Sequence, residues 1–129
     1  MSPNPCLSDW REQRVWVIGA SSGIGEALAT QLASAGARLA LSARREEVLW
    51  RLAREEDRVF PLDVADAKAV ADAHQAIVTE WGGIDLVIYC AGVYTPMRSW
   101  ELDLDKAKES MQINLAGVYN LLHLSLIHI

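Results

Sequence analysis

Cysteine, proline and positive charge are all scarce in this 129-residue chain, and each scarcity excludes something. The two cysteines, Cys6 and Cys90, lie far apart with no secretory segment before them, which argues against a disulfide scaffold. Reduced thiols and a cytoplasmic location are the expectation, since Met1 to Pro5 lacks the basic-then-apolar layout of a signal peptide. Twelve Lys and Arg against 17 Asp and Glu leave a formal net charge of −5. That sign disfavours a nucleic-acid partner or an anionic membrane surface. The most apolar stretch, Leu115 to Ile129, is interrupted by Asn120, His123, Ser125 and His128 and is too short to span a bilayer. Only four prolines accompany eight glycines, with 51% hydrophobic and 22% charged residues, so disorder and collagen-like order are excluded as well. A chain of this mass forms one core, burying roughly two-thirds of its unfolded surface.

Strand and helix patterns alternate along what remains. Residues 1–13 form a polar lead-in, and Arg14 to Ile18 is a short apolar strand ending at Gly19. Ile24, Ala27, Leu28, Leu32 and Ala35 follow a helical period that Gly36 ends. Leu39 to Leu41 reads as a second strand, and Val48, Leu49, Leu52 and Ala53 mark a second helix with Glu46 and Glu47 in its first turn. Val59 to Leu62 is a third strand whose Pro61 suggests a sheet edge. Asp66 caps a helix carrying Val70, Ala73, Ile77, Val78 and Trp81 on one face, ended by Gly82 and Gly83. Ile84 to Tyr89 is a fourth strand, and a last helix runs from about Asp105 with Leu104, Ala107, Met111, Leu115, Val118 and Leu122 as its apolar stripe. No two-residue hairpin joins any strands, and no repeat or linker divides the chain. The pattern predicts an α/β fold: a doubly wound parallel sheet of about four strands alternating with four helices.

The glycine-rich turn Gly19-Ala20-Ser21-Ser22-Gly23-Ile24-Gly25 follows the first strand and opens the first helix. Glycines permit a tight turn and close backbone approach, while helix N–H groups and the dipole attract phosphate. A merely structural strand-to-helix turn is the alternative. The spacing is G-x-x-x-G-x-G, and here the chain resembles the short-chain dehydrogenase/reductase family, whose usual form has Thr where Ile18 stands. The resemblance runs from about Arg14 to about His123. It implies a Rossmann-type fold, a nicotinamide cofactor and the interconversion of an alcohol and a carbonyl on a small-molecule substrate. It assigns Gly19, Ser21, Ser22, Gly23, Ile24 and Gly25 to the cofactor, and Ala91 and Gly92 to its ribose.

At the end of the second strand, where an acid would bind ribose hydroxyls, stand Arg44 and Arg45, with no carboxylate before Glu46. Their planar forks suit a 2′-phosphate, so NADP is expected ahead of NAD; pairing with Glu46, Glu47 or Glu55 is the bland alternative. Asp63 and Val64 match the family's adenine-contacting pair, although Asp63 is also placed for helix capping. The fourth strand ends in Tyr89-Cys90-Ala91-Gly92 where relatives have Asn-Asn-Ala-Gly. The Cys90 and Ile18 departures suggest that a polar pairing is replaced by an apolar contact.

Asn114, in Asn114-Leu115-Ala116-Gly117, matches the Asn of the family's catalytic tetrad, which holds a proton-relay water. A bond to a neighbouring helix carbonyl is the alternative. The family's Ser and Tyr-x-x-x-Lys are not in this sequence, since none of Tyr89, Tyr94 and Tyr119 has a Lys four positions later. His74 reads as packing, and no metal site is expected. Trp10 and Trp100 read as packing or loop cover. Leu124 to Ile129 resembles an in-frame translation of a sequencing adapter, so the native sequence is expected to end near His123. The expectation is a cofactor-binding part, inactive alone, of a parent that forms homo-oligomers; a non-catalytic nucleotide-binding or regulatory module is the competing reading.

Overall fold

The computed structural model of the chain describes residues 6–127, so the start of the polar lead-in and the last two residues of the suspected tail lie outside the described residues. Its elements run β1 (Arg14–Ile18), α1 (Gly23–Ser34), β2 (Arg38–Ser42), α2 (Glu46–Leu52), β3 (Arg58–Val59), α3 (Ala67–Trp81) and β4 (Leu86–Tyr89). A 3-10 turn (Ser99–Glu101), α4 (Leu104–Met111), a π-helical turn (Gln112–Ala116) and α5 (Gly117–Ile127) follow. The strands form one parallel sheet in the order β3-β2-β1-β4. This is the expected Rossmann-type, doubly wound arrangement.

β1 and β2 are apolar almost throughout because both of their faces are covered. Val15, Val17, Leu39 and Leu41 pack with Ala29, Leu32 and Leu49 beneath α1 and α2. Trp16, Ile18 and Ala40 face the other way, into Val70, Ala73, Ile77, Ile113 and Leu121 of α3 and the last helix. The buried Trp16 indole N–H would be costly without a partner. It donates to Ser42 Oγ at 2.9 Å, and His74 packs against the Trp16 ring with 6.3 Å between centroids.

β3 is shorter than expected, yet its continuation stays beside β2: Phe60 N–H donates to the Leu41 carbonyl at 2.9 Å and Leu62 N–H to the Ala43 carbonyl at 3.0 Å. Pro61 falls between them, where its missing N–H would face the open edge. That is why a proline is tolerated there. Asp66 caps α3, accepting from Ala69 N–H at 3.1 Å, and Gly82 ends that helix in the left-handed conformation with φ 79°. α4 is capped by Asp103, two residues before the expected start, through the N–H groups of Asp105 and Lys106.

Two apolar stripes need correction. On α1 the buried residues are Gly25, Ala29 and Leu32, while Ile24 is 74% exposed and Ala27 and Ala35 are exposed. Close seating of Gly25 on β1 sets the helix's rotation. On the last helix Leu104, Met111, Leu115 and Leu122 are exposed, and Ile113, Gly117 and Leu121 face the core. The π turn breaks the 3.6-residue period on which the expected stripe depends. Trp100 is exposed too, with the Arg98 guanidinium 5.5 Å from its ring centroid, so it does not pack into the core.

Candidate nucleotide-binding cleft

The chain builds outward from β1 to β2 and β3, then crosses back through α3 to β4 on the other side of β1. The crevice of such a sheet opens at the carboxyl ends of the strands flanking that switch. A cavity of about 370 Å3 lies there, lined by Gly19, Ser21, Ser22, Ala43, Arg44, Arg45, Leu62, Asp63, Val64, Cys90, Ala91, Gly92, Val93 and Ile113. Nine of the residues marked from sequence thus converge on one hollow: Gly19, Ser21, Ser22, Arg44, Arg45, Asp63, Val64, Ala91 and Gly92. Gly23, Ile24 and Gly25 stand just behind its rim as the first turn of α1.

The glycine spacing follows from contact. Gly19 has φ +90°, and a Cβ on it would sit 2.5 Å from Ala91 N, so β1 and β4 close together only without a side chain. A Cβ on Gly25 would strike the Gly19 carbonyl oxygen and come 2.8 Å from the Gly19 carbonyl carbon. At Gly23 a Cβ would meet nothing within 4 Å. The loop therefore leaves an open cradle over the start of α1, where the first N–H groups have no partners inside the helix. Ser22, at the N-cap, makes no capping bond with its side chain, and the turn is held instead by Gly19 and Ala20 N–H donating to the Ser42 carbonyl at 2.8 and 3.2 Å.

The two arginines have different partners. Arg45 Nη2 donates to the Ser21 carbonyl at 3.1 Å, which fastens the glycine loop to the turn after β2. Arg44 lines the cleft, and its Nη1 lies 4.0 Å from Glu109 Oε1 of α4. Asp63 and Asp66 divide their work: Asp66 caps α3, while Asp63 Oδ1 accepts from Ala65 N–H at 3.0 Å and the residue stays exposed in the cleft wall.

Asn114 is exposed rather than buried, and its partner is the loop after β4 rather than a helix carbonyl. Its Oδ1 accepts from Val93 N–H and its Nδ2 donates to the Val93 carbonyl, both at 2.8 Å. This two-point clamp lies in the π turn. There the Ile113 carbonyl accepts from the Tyr89 hydroxyl at 2.6 Å. Burial, with a lesser push from the Asp63 carboxylate, raises the Tyr89 phenol above its ordinary value and keeps it a donor. Gly117 lies against that hydroxyl, and Asn120 Nδ2 donates to the Val64 carbonyl at 2.9 Å, drawing α5 onto the cleft wall. Tyr89, Val93, Asn120, Leu62 and Ile113 were not marked from sequence. Leu62, Val93 and Ile113 had a local signal, as immediate neighbours of the marked Asp63, Gly92 and Asn114.

The Ile18–Cys90 expectation needs correction. Cys90 N–H donates to the Ile18 carbonyl at 2.7 Å, so the residues adjoin, but through backbone. Ile18 is in register with Tyr89 and shares its face of the sheet, whereas Cys90, one residue on, faces α1 beside Gly25. The two departures sit on opposite faces. Among the described residues no three His, Cys, Asp or Glu side chains gather to hold a metal ion, and no helix is long and apolar enough to cross a membrane.

Comparison with known proteins agrees with this geometry. The sequence model described as short chain dehydrogenase matches residues 13–129. The mouse protein "Dehydrogenase/reductase SDR family member 7" is 40% identical over 117 residues, covering 83% of this chain and 35% of its own length. D-threitol dehydrogenase of Mycolicibacterium smegmatis is 39% identical over 109 residues, covering 80% of this chain and 42% of its own length. The chain thus spans well under half the length of these curated relatives. In fold it matches 3-ketoacyl-(acyl-carrier-protein) reductase of Brucella melitensis, solved with NADH, at TM-score 0.85 and 20% identity, over 92% of this chain and 51% of that one.

Proposed function

The chain belongs to the short-chain dehydrogenase family, and from that premise we propose that its cleft takes NADP in preference to NAD, as the cofactor-binding part of an oxidoreductase that interconverts an alcohol and a carbonyl. One observation carries the preference. The turn after β2 brings Arg44 to the cleft, and the chain has no carboxylate between Ser42 and Glu46 to receive ribose hydroxyls or repel a 2′-phosphate. The cradle also suits the cofactor: the space over Gly23 is open, and the N-terminus of α1 faces anions favourably.

In this reading Ser21, Ser22 and the N–H groups of Gly23, Ile24 and Gly25 hold the pyrophosphate. Arg44 takes the 2′-phosphate, with Arg45 bracing the loop. Asp63 and the Val64 backbone receive the adenine, while Ala91 and Gly92 admit the ribose. The bound nicotinamide supplies hydride transfer. Asn114 is positioned for a relay water by its clamp on Val93. The proton-transferring Tyr-x-x-x-Lys pair is absent from this sequence, so the chain's own residues bind and position without turnover. A nucleotide-binding module without catalysis is the second reading; a full-length clone carrying the pair favours the enzyme. The free thiols of Cys6 and Cys90 fit a cytoplasmic setting, and the exposed apolar residues of α4 and α5 fit a homo-oligomeric parent.

Calorimetric titration of Arg44→Asp with NADP and NAD tests the assignment. A charge-assisted phosphate contact is worth about 1.5–3 kcal/mol, so the NADP/NAD affinity ratio should fall about ten- to a hundredfold. An unchanged ratio refutes it.

A further inference from the structure

Arg44 stands on the turn after β2 and lines the cleft, while Glu109 stands in the last turn of α4. Ile113, four residues after Glu109 and within the π turn, belongs to the cleft wall. The Arg44 and Glu109 side chains are 60% and 54% exposed, and their charged atoms are 4.0 Å apart. Arg45 is already engaged by the Ser21 carbonyl. The guanidinium nearest the adenosine end therefore has a carboxylate of this chain as its counter-ion.

We propose that Glu109 is a specificity-determining residue: its carboxylate competes with a cofactor's 2′-phosphate for Arg44 and so moderates the preference for the phosphorylated nucleotide. The inference rests on the reading of Arg44 as the 2′-phosphate fork. At 4.0 Å in solvent the pair is loose, and a phosphate near −2 with three acceptor oxygens displaces the carboxylate rather than being blocked by it. No hydrogen bond joins the two side chains, so Glu109 acts through its charge alone: it offsets part of Arg44's attraction for the phosphate, and it repels the phosphate once that is bound. A nucleotide without a 2′-phosphate encounters neither effect.

The probes are adenosine 2′,5′-bisphosphate and adenosine 5′-monophosphate, titrated against the unmodified chain, Glu109→Gln and Arg44→Ser. Thermal melts establish that each variant folds. At low ionic strength Glu109→Gln should bind the bisphosphate about two- to fivefold more tightly, with the monophosphate unchanged. The gain should shrink near 1 M salt, where the Debye length is about 3 Å. If Arg44→Ser weakens the bisphosphate selectively but Glu109→Gln leaves it unchanged, the competition is overturned and the NADP reading stands. If Arg44→Ser alters neither ligand's affinity, both fail together. Binding of neither nucleotide by the folded chain also overturns both.

Discussion

Gly25→Ala tests the glycine turn as a piece of packing, apart from any ligand. At an open helical position the change stabilises, because alanine exceeds glycine in helix propensity by about 1 kcal/mol. Here the added methyl overlaps the Gly19 carbonyl oxygen and comes within 3.2 Å of Cys90 Cβ. Carbon and oxygen need well over 3 Å, so α1 must shift by about 1 Å or the β1 end must yield. Neither is soft, because Gly19 is wedged against Ala91 N and its own N–H is tied to the Ser42 carbonyl. Overpacking of this kind costs about 1–3 kcal/mol. Since the overlap is with backbone, the upper half of that range is the expectation, leaving a net loss of about 1–2 kcal/mol after the propensity gain. Urea unfolding followed by circular dichroism reads the change directly.

Gly23→Ala is the matched control. Its methyl meets nothing within 4 Å, but φ is +55°, so the cost is the left-handed conformation alone, about 1–2 kcal/mol. The methyl also fills the open cradle, so nucleotide affinity should fall more than stability does. A Gly25→Ala chain as stable as the parent refutes the packing argument.

Three further outcomes follow from the same network. Arg54→Met should cost about 3–5 kcal/mol in urea unfolding, because it strands the Asp57 carboxylate, which is 0% exposed and takes donors from Arg54 and Leu39 N–H; a loss below 1 kcal/mol contradicts that role. Asp85 is held below the usual carboxylate range, first by the Arg14 side chain that grips both its oxygens at 2.9 Å. Its contribution is therefore complete above the unfolded value near 3.9 and disappears as pH falls through the lower folded value. The stability gap between the parent and Asp85→Asn should close over that acid range, and a gap independent of pH refutes the linkage. Asn114→Ala should release residues 92–94, seen as faster amide hydrogen exchange at Val93, with little change in the melting of α1 to α3; unchanged protection contradicts the clamp.

The sheet was legible because its order follows from local signals. β1 and β2 are short apolar runs, Asp66 and Gly82 bracket α3, and Pro61 marks the edge with the one residue that has no N–H to present there. Helix rotation was not legible. On α1, Ile24 and Leu28 match a helical stripe as well as Gly25 and Ala29 do. The choice is made by the Gly19–Gly25 contact, which links two elements and has no periodicity of its own. The Arg54–Asp57 staple lies within five consecutive charged residues, Arg54 to Arg58, and the pair carried no expectation from the sequence. Only folding places it under the Ala33 and Ala37 carbonyls.

The cleft divides along the same line. Residues proposed to meet the nucleotide through backbone or a terminal charge were visible, because Gly spacing and arginine placement are local. Residues that hold one wall to another were not. Tyr89 stands on the sheet, at the end of β4. Yet its hydroxyl reaches the Ile113 carbonyl, and that carbonyl belongs to the π turn carrying Asn114. A π turn leaves the backbone bonding ladder irregular at its edges, and π turns favour functional sites for that reason. Here the tyrosine satisfies the carbonyl on the sheet side while Asn114 clamps Val93 on the loop side. The helix is thus pinned from both directions around Asn114, and neither partner could have been named from the sequence, since Tyr89 and Ile113 are 24 residues apart and Val93 and Asn114 are 21 apart.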